Sequence, residues 1–87
     1  MYYVYLLLLK NKQIYTGFSS NLKRRLLEHK NGQVISTKHK RPLYLIHYEV
    51  YSLKSDAERR EKFLKTSDGK FFLKRQISDL LKKYNLK

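Results

Sequence analysis

The chain is 87 residues long, carries 20 Lys and Arg against seven Asp and Glu for a formal charge of +13, and contains no cysteine. That length fits one domain, residues 1–87, burying roughly 60–65% of the surface its unfolded form exposes, with no room for a second core. The missing cysteine excludes disulfides, thiolate catalysis and sulfur-ligated zinc. The charge costs stability through self-repulsion and points to a polyanionic partner, nucleic acid first and an anionic membrane surface second.

Residues 2–9 are aromatic and aliphatic without polar alternation, which suits a strand buried on both faces. The run has no basic n-region or small-residue cleavage site and is too short to span a bilayer, so the protein is expected to be soluble and cytoplasmic. Lys10, Asn11 and Lys12 form a turn, and residues 13–17 return as a second strand. A two-residue loop would pair Tyr15 with Leu8; a three-residue loop would pair it with Leu7, on the face shared by Tyr3 and Tyr5. Ser19, Ser20 and Asn21 offer helix caps, and a basic helix runs to about Lys30, with Asn31 and Gly32 as its stop. Leu22, Leu26 and His29 share its inner face, and Arg25 lies one turn before His29.

Residues 34–41 form a polar, basic loop closed by Pro42, and residues 43–51 read as a third, central strand. Ser55 to Glu58 has the form of a capping box with Ser55 as cap, and the helix it opens ends near Thr66. Ser67, Asp68 and Gly69 read as a break before a last amphipathic helix marked by Phe72, Leu73, Ile77, Leu80, Leu81 and Tyr84. The expected architecture is α+β: a small three-stranded, mostly antiparallel sheet flanked by helices, in the order β-β-α-β-α-α.

Candidate chemistry concentrates where the second strand turns into the first helix. There a phenol, Tyr15, and a guanidinium, Arg25, are carried together on two elements. Paired guanidinium donors hold a phosphate, and a phenol can give or take a proton. Each residue also has a plainer reading. A strand tyrosine ordinarily fills a core, and there are eight tyrosines here. Lys23, Arg24 and Arg25 make a charge run of the kind that forms a solvated helix face, and His29 on an inner face suits packing. Glu61 falls between Ala57 and Leu64 in the apolar stripe of its helix, so it needs a partner, either a basic side chain or a Mg²⁺ or Mn²⁺ ion. Lys38, Lys40 and Arg41 suit contact with phosphates irrespective of sequence.

The combination is more specific than its parts. Tyr3-Val4-Tyr5, then Tyr15-Thr16-Gly17 ten residues on from Tyr5, then Arg25 ten further, resembles the GIY-YIG nuclease superfamily. The similarity extends through Leu22, Arg25, His29 and Gly32, through Arg41-Pro42, and through Ala57, Glu61 and Lys65 to about residue 80. It is similar to small stand-alone bacterial members and to the nuclease domain of the excision-repair incision subunit. The first tripeptide departs from Gly-Ile-Tyr, Thr16 stands where Ile is usual, and Phe18 stands where the repair enzymes carry lysine. The last helix has no counterpart to the asparagine of some members.

The resemblance implies a metal-dependent endonuclease cutting DNA in repair or processing. Glu61 would hold one Mg²⁺ or Mn²⁺, Tyr5 or Tyr15 would accept the proton of water, Arg25 would brace the phosphate, and His29 would orient a phenol. Lys23, Arg24, Lys38, Lys40, Arg41 and Lys65 would grip DNA, with a protein partner as a source of specificity and no membrane involved. The rival reading is a basic nucleic-acid-binding module of the same fold without catalysis.

Overall fold

The computed structural model of the protein describes residues 1–86. Its first apolar run forms β1 (Tyr2–Leu8), and residues 4–9 are all buried. A strand apolar on both faces must be covered on both, and fully burying each leucine contributes about 1.5–3 kcal/mol. β1 therefore takes the middle of an antiparallel sheet of order β2-β1-β3, with β2 (Ile14–Ser19) and β3 (Tyr44–Tyr51) as its edges. The expectation that the third strand is central is corrected by this order. β3 leaves Tyr44, Tyr48 and Val50 exposed, so the strand with least to hide takes the flank.

The β1–β2 connection is the three-residue loop. The Leu9 amide donates to the Gln13 carbonyl at 2.9 Å, and the Lys12 amide donates to the Leu9 carbonyl at 2.9 Å. Lys12 takes the left-handed φ of 72° that commonly ends such a loop. Tyr15 is thereby paired with Leu7, and it shares a face with Tyr3 and Tyr5.

The two sheet faces have separate cores. On one, Val4 and Leu6 pack with Ala57, Leu64, Leu73, Ile77 and Leu81 from α2 (Lys54–Leu64), α3 (Ser67–Gln76) and α4 (Ser78–Lys83). On the other, Tyr5, Leu7, Leu9 and Leu43 pack with Leu22 and Leu26 of α1 (Leu22–Lys30). Asn21 caps α1, its side chain accepting from the Arg24 amide at 3.1 Å, and Gly32 leaves the helix with φ 74°.

Three local expectations change. α2 has Leu53 as its N-cap with no side-chain bond, which places Ser55 inside the first turn and removes the capping box. Asp56 occupies that turn instead, favourably placed at the positive end of the helix dipole. Ser67, Asp68 and Gly69 do not interrupt the chain but form the first turn of α3. The Thr66 hydroxyl accepts from the Gly69 amide at 3.0 Å, and a Cβ at residue 69 would run into the Phe63 carbonyl. Glycine there lets two helices touch through backbone. Finally, the last helix is two, divided at Ile77, whose φ of −113° and ψ of 31° leave the helical region while its side chain stays in the core. The order is β-β-α-β-α-α-α.

Candidate active site

The hairpin register brings the two tripeptides together. Gly17 is paired with Tyr5, and a Cβ at 17 would strike the Tyr5 ring and hydroxyl. The glycine of the second tripeptide is thus the space into which the tyrosine of the first lies down. α1 closes over this arrangement, because its cap at Asn21 sets the helix phase that turns Leu22, Leu26 and His29 inward.

Tyr5, His29 and Thr37 are each wholly buried. The Tyr5 hydroxyl lies 2.8 Å from His29 Nε2, and His29 Nδ1 lies 2.8 Å from Thr37 Oγ1. A neutral imidazole has one donor and one acceptor nitrogen. With Tyr5 donating to Nε2, the ring gives its Nδ1 hydrogen to Thr37, and the line closes with no ring nitrogen unpaired. Burial, reinforced by the nearby Arg25 charge, lowers the His29 pKa and keeps the ring neutral. Burial pushes the Tyr5 phenol up to about 12, against the downward pull of Arg25. Tyr5 therefore holds its proton across the neutral range.

Tyr15 sits differently. It is half-buried, with its ring centroid 5.3 Å from that of His29 and 6.4 Å from that of Tyr5. Its hydroxyl receives one long contact, 3.4 Å from the Ser36 hydroxyl. Its oxygen is the less committed of the two phenols. Arg25 donates from Nη1 to Glu28 Oε1 at 3.0 Å, and this pair, then Tyr5, holds the guanidinium charged.

Glu61 belongs to α2, between the buried Ala57 and Leu64. Its Oε2 accepts from the Lys65 ammonium at 3.0 Å, and its charge reaches Tyr5, adding to the upward shift of that phenol. Among the described residues no group of three or more Asp, Glu, His or Cys side chains converges. An ion at Glu61 would have one protein carboxylate, 22% exposed and already attracting a cation, with water and substrate oxygens to complete its shell. That donor set is all oxygen and suits Mg²⁺ or Mn²⁺.

Tyr5, Tyr15, Arg25 and His29 thus come together, with Glu61 within electrostatic reach. The basic residues divide. Lys23, Arg24, Lys38 and Lys40 are exposed, whereas Lys65 is engaged by Glu61. Arg41 donates to the Lys38 carbonyl at 3.0 Å and the Lys30 carbonyl at 3.1 Å, stapling the loop to the end of α1. Sequence reasoning missed Thr37, Ser36 and Glu28. The Arg25-to-Glu28 spacing was a readable helix pair; nothing local marks Thr37 or Ser36, whose positions depend on how the loop folds back.

Comparison with known proteins identifies the family. The family model described as the GIY-YIG catalytic domain matches residues 1–76. A UPF0213 protein of Staphylococcus saprophyticus is 36% identical over 66 residues, which is 75% of this chain and 80% of that protein. One from Clostridium perfringens is also 36% identical over 66 residues, covering 75% of this chain and 71% of its own. The solution NMR structure of the UPF0213 protein BH0048 from Bacillus halodurans superposes with a TM-score of 0.54 at 30% identity, covering 84% of this chain and 82% of that one. No described helix is long and apolar enough to cross a membrane. The chain therefore belongs to the GIY-YIG catalytic-domain family, whose chemistry is of the nuclease type.

Proposed function

We propose that the protein is a divalent-metal-dependent endonuclease that hydrolyses DNA phosphodiester bonds in repair or processing. The observation that carries this reading is the convergence of two phenols, a neutral imidazole and a charged guanidinium over one sheet face, with the Glu61 carboxylate within electrostatic reach of Tyr5. Such a set has no packing reason to exist, since apolar side chains would fill the same volume at lower desolvation cost.

Glu61 is the residue that would hold Mg²⁺ or Mn²⁺, and when bound the ion polarises the scissile phosphate and stabilises the leaving oxygen. Arg25, prevented from swinging away by Glu28, offers its remaining N–H groups to the phosphate oxygens on which negative charge develops. Tyr15, once its own hydroxyl proton has passed to bulk water, orients the attacking water and accepts that water's proton, its oxygen not being bound to His29. Tyr5 keeps its proton and, through His29 and Thr37, fixes the ring against which Tyr15 packs. Lys23, Arg24, Lys38 and Lys40 hold the strand by its phosphates, and specificity is for DNA structure or is supplied by a protein partner.

The test is cleavage of plasmid, flap and branched DNA with Mg²⁺ or Mn²⁺ by wild type and Glu61→Gln. Metal-dependent cutting lost by at least about 10²-fold in the variant supports the assignment. Cutting that survives the substitution refutes Glu61 as the metal ligand. DNA binding without cutting in wild type replaces this reading with the non-catalytic binding module, for which the Lys65 ammonium on Glu61 would be the resting partner.

A further inference from the structure

The sheet face that carries Tyr5 continues past the candidate active site. Tyr48 on β3 is paired with Tyr5, and Tyr3 precedes Tyr5 by one full pleat, so the three phenols stand on one face. α1 covers Tyr5 completely but leaves Tyr48 50% exposed and Tyr3 half-buried. The Tyr3 and Tyr48 ring centroids are 6.2 Å apart with the rings tilted by 56°. Together with Leu45, Leu26, Lys23 and Asn21 they line an open cleft of about 490 Å³.

The chemistry of this cleft is specific. It offers flat aromatic faces to solvent, an apolar wall, and one ammonium at its edge, in a molecule of charge +13. A nucleotide has a base π-face for the phenols and a phosphate for Lys23. Bases inside a duplex are stacked on one another and cannot enter; unpaired ones can. Tyr15 is paired with Leu7, four residues from Tyr3 and roughly 13 Å along the strand, the span of about four nucleotides at helical stacking distance. A base seated there would belong to the strand whose phosphate faces Tyr15 and Arg25.

We propose that the Tyr3–Tyr48 cleft is a base-stacking subsite for an unpaired nucleotide a few positions along the strand from the scissile phosphate, so that single-stranded or frayed DNA is preferred over blunt duplex. This rests on the nuclease reading for its substrate, but its test needs no cleavage. Binding of a fluorescein-labelled 12-nucleotide strand would be followed by anisotropy in EDTA at fixed salt. The comparison ligands are the same sequence as blunt duplex and a strand of equal length with abasic units in place of its central bases.

Tyr48→Ala is expected to weaken single-strand binding about ten-fold or more, Tyr48→Phe to stay within about two-fold of wild type, and duplex affinity to be unmoved. The abasic strand should bind wild type as weakly as the intact strand binds Tyr48→Ala, an arm that does not depend on any variant folding. Equal weakening on strand and duplex, no weakening, or full affinity for the abasic strand would each overturn the subsite. Loss of the subsite with intact metal-dependent cutting refutes this inference alone. Stacking without any cutting refutes the nuclease reading and leaves the subsite standing.

Discussion

Two tyrosines of the same chemical type are placed in opposite environments, and the proposed function gives them different work. Tyr5 is enclosed, its hydroxyl bound to a buried imidazole and its pKa pushed up to about 12. Tyr15 is half-buried and free of that bond. Phenylalanine substitutions should therefore separate stability from catalysis. Tyr5→Phe leaves His29 Nε2 buried without its partner and is expected to cost about 1–3 kcal/mol in urea unfolding. Tyr15→Phe is expected to change stability by less than about 0.5 kcal/mol while lowering the cleavage rate about 10²- to 10⁴-fold. Reversal of the two patterns would exchange the roles. The spacing of Tyr5 and Tyr15 was readable in the sequence, yet not the difference between their surroundings. That depends on Thr37, which fixes His29 from a loop 22 residues after Tyr15 and carries no local signal.

At the scale of elements, Gly69 was the least legible of the three glycines. Gly69 reads as a stop in the sequence because glycine disfavours a helix interior. In the fold it lies in the first turn of α3 because two backbones meet there. Gly→Ala inside a helix ordinarily stabilises by about 0.4–1 kcal/mol. Here the sign is reversed, since the added methyl meets the Phe63 carbonyl. Gly69→Ala is expected to destabilise by about 1–3 kcal/mol, a fall of about 4–20 °C in the midpoint of thermal unfolding. An unchanged or raised midpoint would contradict the close approach. The hairpin and α1 were legible because their signals are short-range: a turn length, a cap, a three-four stripe. The strand order was not. Residues 2–9 announce burial on both faces, but which neighbours supply it is decided only by comparing every strand with every other.

For the molecule as a whole, charge and fold say different things. The same +13 would serve a catalyst or a passive binder, and only the convergence on the Tyr5 face separates them. The exposed Lys23, Arg24, Lys38 and Lys40 make about four phosphate contacts available. That number gives a log–log salt slope of about −3.6 for duplex DNA and a loss in affinity of about 150-fold between 50 and 200 mM salt. A flat titration by fluorescence anisotropy would exclude backbone binding as the source of affinity. Opposing this, Glu49 is held between strand and helix: Arg60 donates to it twice, at 2.9 and 3.2 Å, and Tyr51 once, at 2.6 Å. Burial raises its pKa, but Arg60 and Tyr51 outweigh that and lower it on balance. The stabilisation is present above the ordinary carboxylate pKa and is lost as pH falls through the lowered one.

Because β1 occupies the centre of the sheet, the order in which the chain leaves the ribosome matters. β1 and β2 can close as a hairpin once Ser19 has emerged, but the other edge of β1 pairs with a strand that ends at Tyr51. At cellular rates of about 5–20 residues per second, the 32 residues between them take about 2–6 s to appear. Throughout that interval the nascent chain presents an open edge on a strand of aromatic and aliphatic side chains, the surface that chaperones bind and other chains can pair with.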